Sequence, residues 1–466
     1  MGENTSNKVT ESGPMIAKNK LSLLQTAVSN LVIVPPPEKV LVNNEVQKWL
    51  EHHGIVGESN WTPSGIAQGF KQEGITAIVA LTSLLLKERA DYQRGTSPAR
   101  LARQVANKVI SIFAKRPNVP LTLDDVELLE QDVAHLFATQ TTPHTLFIPC
   151  SLIPEHAAAF TIGPVTFYSI KDLPNREHIS LDKLEVDLTY GPLLRAMQER
   201  SAYWLGEITV TGFDETYASE RANLAVDVAL TAIQMIIPVS YSRHMARITG
   251  RTMPPWIGSV RKTNGLARFS IKVCHPGHGI TGDVFDQIIL PEQGLFESVG
   301  RRVNAYINGT ETMPKLNQSW SDAAYWLHEG LAEPLDAVSI ATLETSIEVL
   351  LSAESSKNSA QRLRDAFRSF YGLSKDQPII SGTLRTVDQF IKSIVGARSR
   401  VLHGTMSTLI PDNTLPSHEH EGREVVELLA IDLLKRYTLM LDAYEVLQGA
   451  KDDLASFLHW ITRHRN

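Results

Sequence analysis

The sequence predicts an α+β protein with a C-terminal all-α helical bundle, preceded by a mixed α/β region and an N-terminal helical domain. Three observations carry this reading. Apolar residues recur at helical spacing through residues 21–140 and again beyond residue 320. Between these stretches, from about Pro143 onward, short runs punctuated by Gly and Pro alternate apolar and polar residues as half-buried strands do. The chain has 466 residues, which at about 100–200 residues per domain implies several domains.

Taken in order, residues 1–20 are polar and lack a hydrophobic period, so they are expected to be a disordered tail. The opening Met1-Gly2-Glu3-Asn4-Thr5-Ser6 fits the short myristoylation pattern only formally. In the helical domain 21–140, Ile66–Tyr92 is apolar at helical spacing. Ser97-Pro98 reads as an N-cap followed by proline at the first helical position, and Thr122–Phe137 opens with Asp124 and Asp125 in its first turn. Residues 141–310 read as a mixed, β-rich sensor or regulatory domain. Its candidate strands are Thr145–Ile148, Phe160–Ile162, Val165–Ile170, Glu207–Thr211, Met245–Ile248 and Arg268–Val273. Tyr217–Ile237, closed by Pro238, is expected as a helix buried against them, and Leu295–Ile307 as another. Asn308–Gln318 reads as a linker. The helical domain 320–450 then contains Asp322–Glu329, Leu335–Ala353, Ser359–Tyr371, Gly382–His403 and Glu421–Leu447. No repeat of fixed period is present, which argues against a solenoid.

Composition sets the class. Hydrophobic residues make up 43% and charged residues 21%, which excludes a disordered, collagen-like or disulfide-scaffold chain. Two cysteines, Cys150 and Cys274, lie far apart and suggest a reducing cytoplasm. The apolar run Ile75–Leu86 is shorter than the roughly 20 residues that a spanning helix needs, so no membrane partner is expected. The formal charge of -6 argues against a surface coated in cations but leaves room for a local basic cleft.

The most informative stretch is Val395-Gly396-Ala397-Arg398-Ser399-Arg400-Val401-Leu402-His403-Gly404, in which an arginine and a histidine enclose four residues at the end of a long helix. Five residues of α-helix turn through about 500°, so Arg398 and His403 point about 140° apart. They meet only if the last turn distorts or a second subunit completes the site. Arg398 can hold a phosphate through paired hydrogen bonds, and His403 can act as general acid or base. As a bare spacing, however, this pair is common, and the plainer reading is cationic capping of a helix C-terminus.

Competing signals are weaker. Gly277-His278-Gly279-Ile280-Thr281-Gly282 spells a dinucleotide fingerprint, but Pro276 interrupts the strand-to-loop join and no βαβ repeat precedes it. Cys274, His275 and His278 lack a fourth zinc ligand, and His418-Glu419-His420-Glu421 reads as an exposed loop. No cofactor or metal is expected. The phosphate-loop, zincin and nucleophile-elbow motifs are absent from the sequence.

Context favours the arginine and histidine. The Arg-Ser-Arg-apolar-apolar-His-Gly ending follows an Arg-bearing helix, Ala360-Gln361-Arg362-Leu363-Arg364-Asp365-Ala366-Phe367. Before that comes an apolar helix running from Ala341-Thr342-Leu343-Glu344 to Glu348-Val349-Leu350-Leu351. In order and spacing, over about residues 320–447, this resembles the HEPN superfamily of ribonucleases, and most nearly its ApeA-like branch. Phe160–Phe167 and the helix from Ala218 to Ile237 look like the companion region of such proteins. The resemblance implies a metal-independent endoribonuclease of a defence (abortive-infection) or toxin system. It implies a homodimer or higher homo-oligomer in which motifs of two subunits form one site, with RNA as substrate and a phage-derived trigger or an antitoxin as partner.

Carried over residue by residue, the resemblance makes Arg398 and His403 the catalytic pair; Glu344, counted with them as catalytic, or Glu348 can orient the pair from a neighbouring helix, the plainer reading of a helix carboxylate being a solvated face or a salt-bridge partner. Arg400, Ser399 and Arg364 are the expected RNA contacts, and Arg362 can add charge. Active members frequently carry Asn, His or Asp after the arginine; here Ser399 stands there, with a hydroxyl that can still donate to a phosphate oxygen. In the implied reaction the ribose 2′-OH attacks phosphorus, a base takes its proton, cations stabilise the extra charge and an acid protonates the leaving 5′ oxygen. DNA lacks that nucleophile. The alternative is a catalytically inactive HEPN-like dimerisation module that binds RNA, nucleotide or a phage protein.

Overall fold

A computed structural model describes residues 12–37, 43–114, 116, 119–248, 256–353, 356–379, 384–402 and 422–464. The chain is mixed α+β and divides into two compact units. One is Met1–His144 together with Val210–Glu220; the other is Thr145–Thr209 together with Arg221–Asn466. No division falls between residues 310 and 320, where the sequence suggested a linker.

The first unit contains α1 (Ser12–Ser29), β1 (Leu31–Val34), α2 (Asn43–His52), β2 (Val56–Trp61), β3 (Ala67–Phe70), α3 (Gln72–Glu88), α4 (Ala90–Gly95), α5 (Pro98–Phe113) and α6 (Leu123–Gln140). Apolar stripes converge from α1 (Leu24, Ala27), α3 (Ile78, Leu81), α5 (Val105, Val109) and α6 (Leu129, Val133). The expected start of α5 is present: the Ser97 hydroxyl accepts from the Arg100 N–H at 3.2 Å. Asp125 likewise accepts from the Thr122 N–H at 2.9 Å, closing the first turn of α6.

Two expectations for this unit are corrected. Residues 12–20, read as part of a disordered tail, are helical; residues 1–11 lie outside the described residues. Helix α1 is held by Lys20, whose buried ammonium reaches Glu88 of α3 at 2.5 Å and Glu130 of α6 at 2.6 Å. The unit is also not purely helical, because β1, β3 and β2 form a three-stranded sheet in that order. Each outer strand pairs antiparallel with β3. Short apolar runs such as Leu31–Val34 carry no period that separates strand from helix.

In the second unit, apart from the end residues His144 and Val210, β4 (His144–Ser151), β5 (Phe160–Ile162), β6 (Val165–Ser169), β7 (Trp204–Val210) and β8 (Ala246–Arg247) form a five-stranded sheet ordered β5-β6-β7-β4-β8. The short helices α7 (Leu173–Arg176), α8 (Leu181–Val186) and α9 (Tyr190–Glu199) supply Leu173, Leu184 and Met197 to a core with Tyr168 and Leu205. Helix α10 (Glu215–Gln234) buries Ala222, Val226, Ala229 and Ile233, as its long apolar stretch required. After α11 (Val239–Ser242) and β8 comes a separate two-stranded hairpin, β9 (Trp256–Thr263) and β10 (Leu266–Val273). The first of these strands was not anticipated.

The remainder is helical: α12 (Gly282–Ile289), α13 (Gln293–Asn308), α14 (Pro314–Ala332), α15 (Asp336–Leu350), α16 (Ser356–Ala366), α17 (Val387–Leu402), α18 (Arg423–Glu445) and α19 (Leu454–His464). Helix α16 passes directly into a π-helical turn, Phe367–Tyr371. Half of the expected linker is in fact the first turn of α14. Its Lys315 and Leu316 N–H groups donate to the Asp452 carboxylate at 2.8 and 3.0 Å, a cap supplied from 136 residues away or more. Buried Arg302 of α13 ties three helices together, reaching Asn317 of α14 and Asp442 of α18 at 2.7 Å each and pairing with Glu445. Helix α15 is buried on nearly every side, with Leu343, Ile347 and Leu350 among α14, α17 and α18.

One backbone contact leaves no room for a side chain. A Cβ on Gly300 of α13 would lie 2.5 Å from the Gly163 nitrogen in the β5–β6 turn. Backbone cannot yield as a side-chain tip can, so Gly300→Ala should destabilise the fold by about 3 kcal/mol, the upper end for overpacking. Gly294→Ala on the same helix meets nothing within 4 Å and should be neutral or slightly stabilising. Thermal unfolding of the two variants checks this contrast.

Candidate active site

The sequence places Glu344 and Glu348 four residues apart, so they share one face of α15. That face meets α17, the helix that carries Arg398. The Arg398 guanidinium forms an ion pair with Glu348, and the Arg398 backbone N–H donates to the Glu344 carboxylate at 3.2 Å. Three of the residues singled out from sequence are therefore brought together. The Arg398 side chain keeps 29% of its exposure while Glu344 keeps none, so solvent or a ligand reaches the cation but not that acid.

Burial dominates the electrostatics of Glu344. It pushes the carboxyl up to about 8, against the opposing pull of the Arg398 charge and N–H. Near neutral pH this residue is therefore largely protonated. Its second oxygen, Oε1, is buried without a hydrogen-bond partner among the described residues. A neutral acid bonded to the Arg398 backbone adds no charge against the guanidinium, which among the described residues is paired with Glu348. Glu344 thus meets α17 through the Arg398 backbone.

The other candidates are dispersed. His403 lies outside the described residues, as do His418 and His420. Ser399 and Arg400 are half-buried on α17, but at about 100° per residue Arg400 points about 200° from Arg398. Arg364 of α16 is engaged elsewhere: its guanidinium reaches Asp388 at 2.6 Å, and Lys392 reaches the same carboxylate at 2.8 Å. Asp388 precedes Arg398 by ten residues, about 15 Å of helix at 1.5 Å per residue. Arg364 therefore braces the start of α17.

The weaker sequence signals find structural uses. Both ring nitrogens of His275 face carbonyl oxygens, Pro276 at 2.7 Å and Ser201 at 2.8 Å. The glycine-rich loop follows an antiparallel hairpin and leads into the eight-residue α12, capped by the Thr281 hydroxyl, which is not a βαβ unit. Among the described residues no group of three or more His, Cys, Asp or Glu side chains is arranged to hold a metal ion. Among them, too, no helix is long and apolar enough to cross a membrane.

One buried polar cluster escaped the sequence reading. Asp227 of α10 takes the Arg247 Nε at 2.8 Å and lies 3.6 Å from the His328 Nε2, while the His328 Nδ1 lies 3.2 Å from the Gln234 Oε1. Burial holds the imidazole below its ordinary range. Asp227 and Gln234 interrupting an apolar helix was the available signal. No family model, curated protein or solved structure matches this chain.

The raised Glu344 carboxyl makes stability depend on pH with a definite sign. Between its ordinary value of 4.5 and about 8, the folded chain keeps a proton that the unfolded chain has lost. Stability from this group therefore falls as pH rises through that window. Glu344→Gln, which mimics the neutral form, should unfold at a higher temperature than wild type above about pH 8, the difference closing toward about pH 5. Parallel melting curves across the window would overturn the assignment.

Proposed function

We propose that the chain is a metal-independent endoribonuclease of a defence or toxin system, acting in the cytoplasm, with a HEPN-like C-terminal helical bundle. Two copies bring their α17 ends together, and RNA is cut through attack by its own 2′-OH. Arg398 binds the scissile phosphate and stabilises the charge that develops on it, and His403 transfers the proton. Glu344 and Glu348 orient Arg398 from α15, while Ser399 and Arg400 add contacts along the RNA. The observation that carries this reading is the pair of α15 carboxylates at Arg398, five residues before His403. An arginine held in this way loses less freedom on gripping phosphate. Residues 21–310 restrain the nuclease or sense its trigger.

A second reading, a binding module without cleavage, is favoured by the Arg398–Glu348 ion pair. In this state Glu348 occupies part of the guanidinium that a phosphate needs.

Purified chain in EDTA should cut labelled RNA and leave a 2′,3′-cyclic phosphate. Arg398→Ala and His403→Ala should each slow cutting by about 10²-fold or more. Equal cutting by all three proteins, or loss of wild-type activity on chelation, refutes the nuclease. Absence of cutting together with retained RNA binding supports the binding module instead. Overproduction separates the readings in cells, since arrest relieved by His403→Ala belongs to the nuclease alone.

A further inference from the structure

The β9–β10 hairpin has no packing partner among the described residues: all eight residues of each strand are exposed. Its register places Trp256, Gly258 and Val260 opposite Val273, Ile271 and Phe269, so one face is apolar. The opposite face carries Arg261 directly across from Arg268, with Lys272 two pairs further along. Lys262 sits near the tip, where Asn264 and Gly265, with φ of 49° and 81°, make the tight turn. Residues 256–273 thus hold four cations and no acid, on a chain whose formal charge is -6.

Two details point beyond a solubilised edge. Like charges directly opposite on a strand pair repel each other, a cost that a bound anion removes. On the apolar face, a Cβ at Gly258 would lie 2.9 Å from the Phe269 ring and 3.2 Å from the Trp256 ring. The two aromatic rings therefore lie over a glycine and remain 66% and 55% exposed. Uncovered aromatic rings on one face of a narrow ribbon, with cations on the other, match flat bases strung on phosphates better than they match disordered lipid chains, which need no rings.

We propose that the hairpin is a single-stranded nucleic-acid-binding arm. Bases stack on Trp256 and Phe269, and phosphates are met by Arg261, Arg268 and Lys272 on the other face as the strand passes round an edge of a ribbon only two strands wide. The arm does not depend on the nuclease reading, because stacking and phosphate contact require no 2′-OH.

The test uses full-length protein and fluorescence anisotropy with labelled oligodeoxythymidine and 2′-O-methyl oligouridine, neither of which can be cut by 2′-OH attack. Failure of the nuclease therefore cannot masquerade as failure of the arm. Binding of either strand is expected, and any preference between them identifies the natural one. The Trp256→Ala/Phe269→Ala variant should weaken binding by about ten-fold or more. The Arg261→Gln/Arg268→Gln variant should lower the slope of log affinity against log salt by about 1.4, the share of two phosphate contacts on a single strand. Unchanged melting of both variants would show that the exposed arm was altered without unfolding the body. Wild-type protein that binds neither strand, variants that bind as wild type does, or sedimentation with phosphatidylglycerol vesicles in place of strand binding would overturn the proposal.

Discussion

Two carboxylates buried on one face of α15 are the constraint around which the C-terminal helices are arranged. An ionised acid cannot enter a protein interior without a partner, and removing the partner of a buried charge costs about 3–5 kcal/mol. Here the two acids meet the problem differently. Glu348 is paired with the Arg398 guanidinium, whereas Glu344 receives, among the described residues, a backbone N–H, and burial favours its protonated form. Both solutions require α17 to lie against α15 with Arg398 at one particular height. The register of the helix that bears the candidate catalytic arginine is thereby set from within the core.

The same logic recurs wherever helices are tied together over long stretches of sequence. Lys20 joins α1 to α3 and α6, Arg302 joins α13 to α14 and α18, and Asp452 caps α14 from the far end of the chain. In each case one charged group satisfies donors or acceptors that a helix cannot satisfy by itself. These contacts decide where helices begin and how they are rotated. Apolar stripes decide only that the helices pack.

Charge illustrates how little a global sum says about local chemistry. The chain is acidic overall, yet its cations are unevenly used. Arg302 and Arg364 are spent on carboxylates inside the fold, Arg398 is half-exposed on one, and the four cations of the β9–β10 hairpin stand on a segment without acids. Whether a basic residue is available to a polyanion depends on the partners that folding gives it, which neither composition nor spacing encodes.

Much of the architecture was legible in the sequence. Period and turn chemistry located the strands Phe160–Ile162 and Val165–Ser169, the buried α10, the Ser97-Pro98 start of α5 and the long C-terminal helices, because these features depend on neighbours a few residues away. The pairing of Glu344 and Glu348 on one helix face was likewise readable from a spacing of four. Tertiary structure alone decided that this face meets Arg398, that Arg364 is diverted to Asp388, that residues 12–20 are helical and that an unsuspected strand, Trp256–Thr263, makes an exposed ribbon. The first three share a physical reason, a partner distant in sequence, and local periodicity carries no record of which side chain will neutralise a charge or hold a helix; the hairpin pairs locally, and what the sequence did not reveal is that nothing among the described residues covers it.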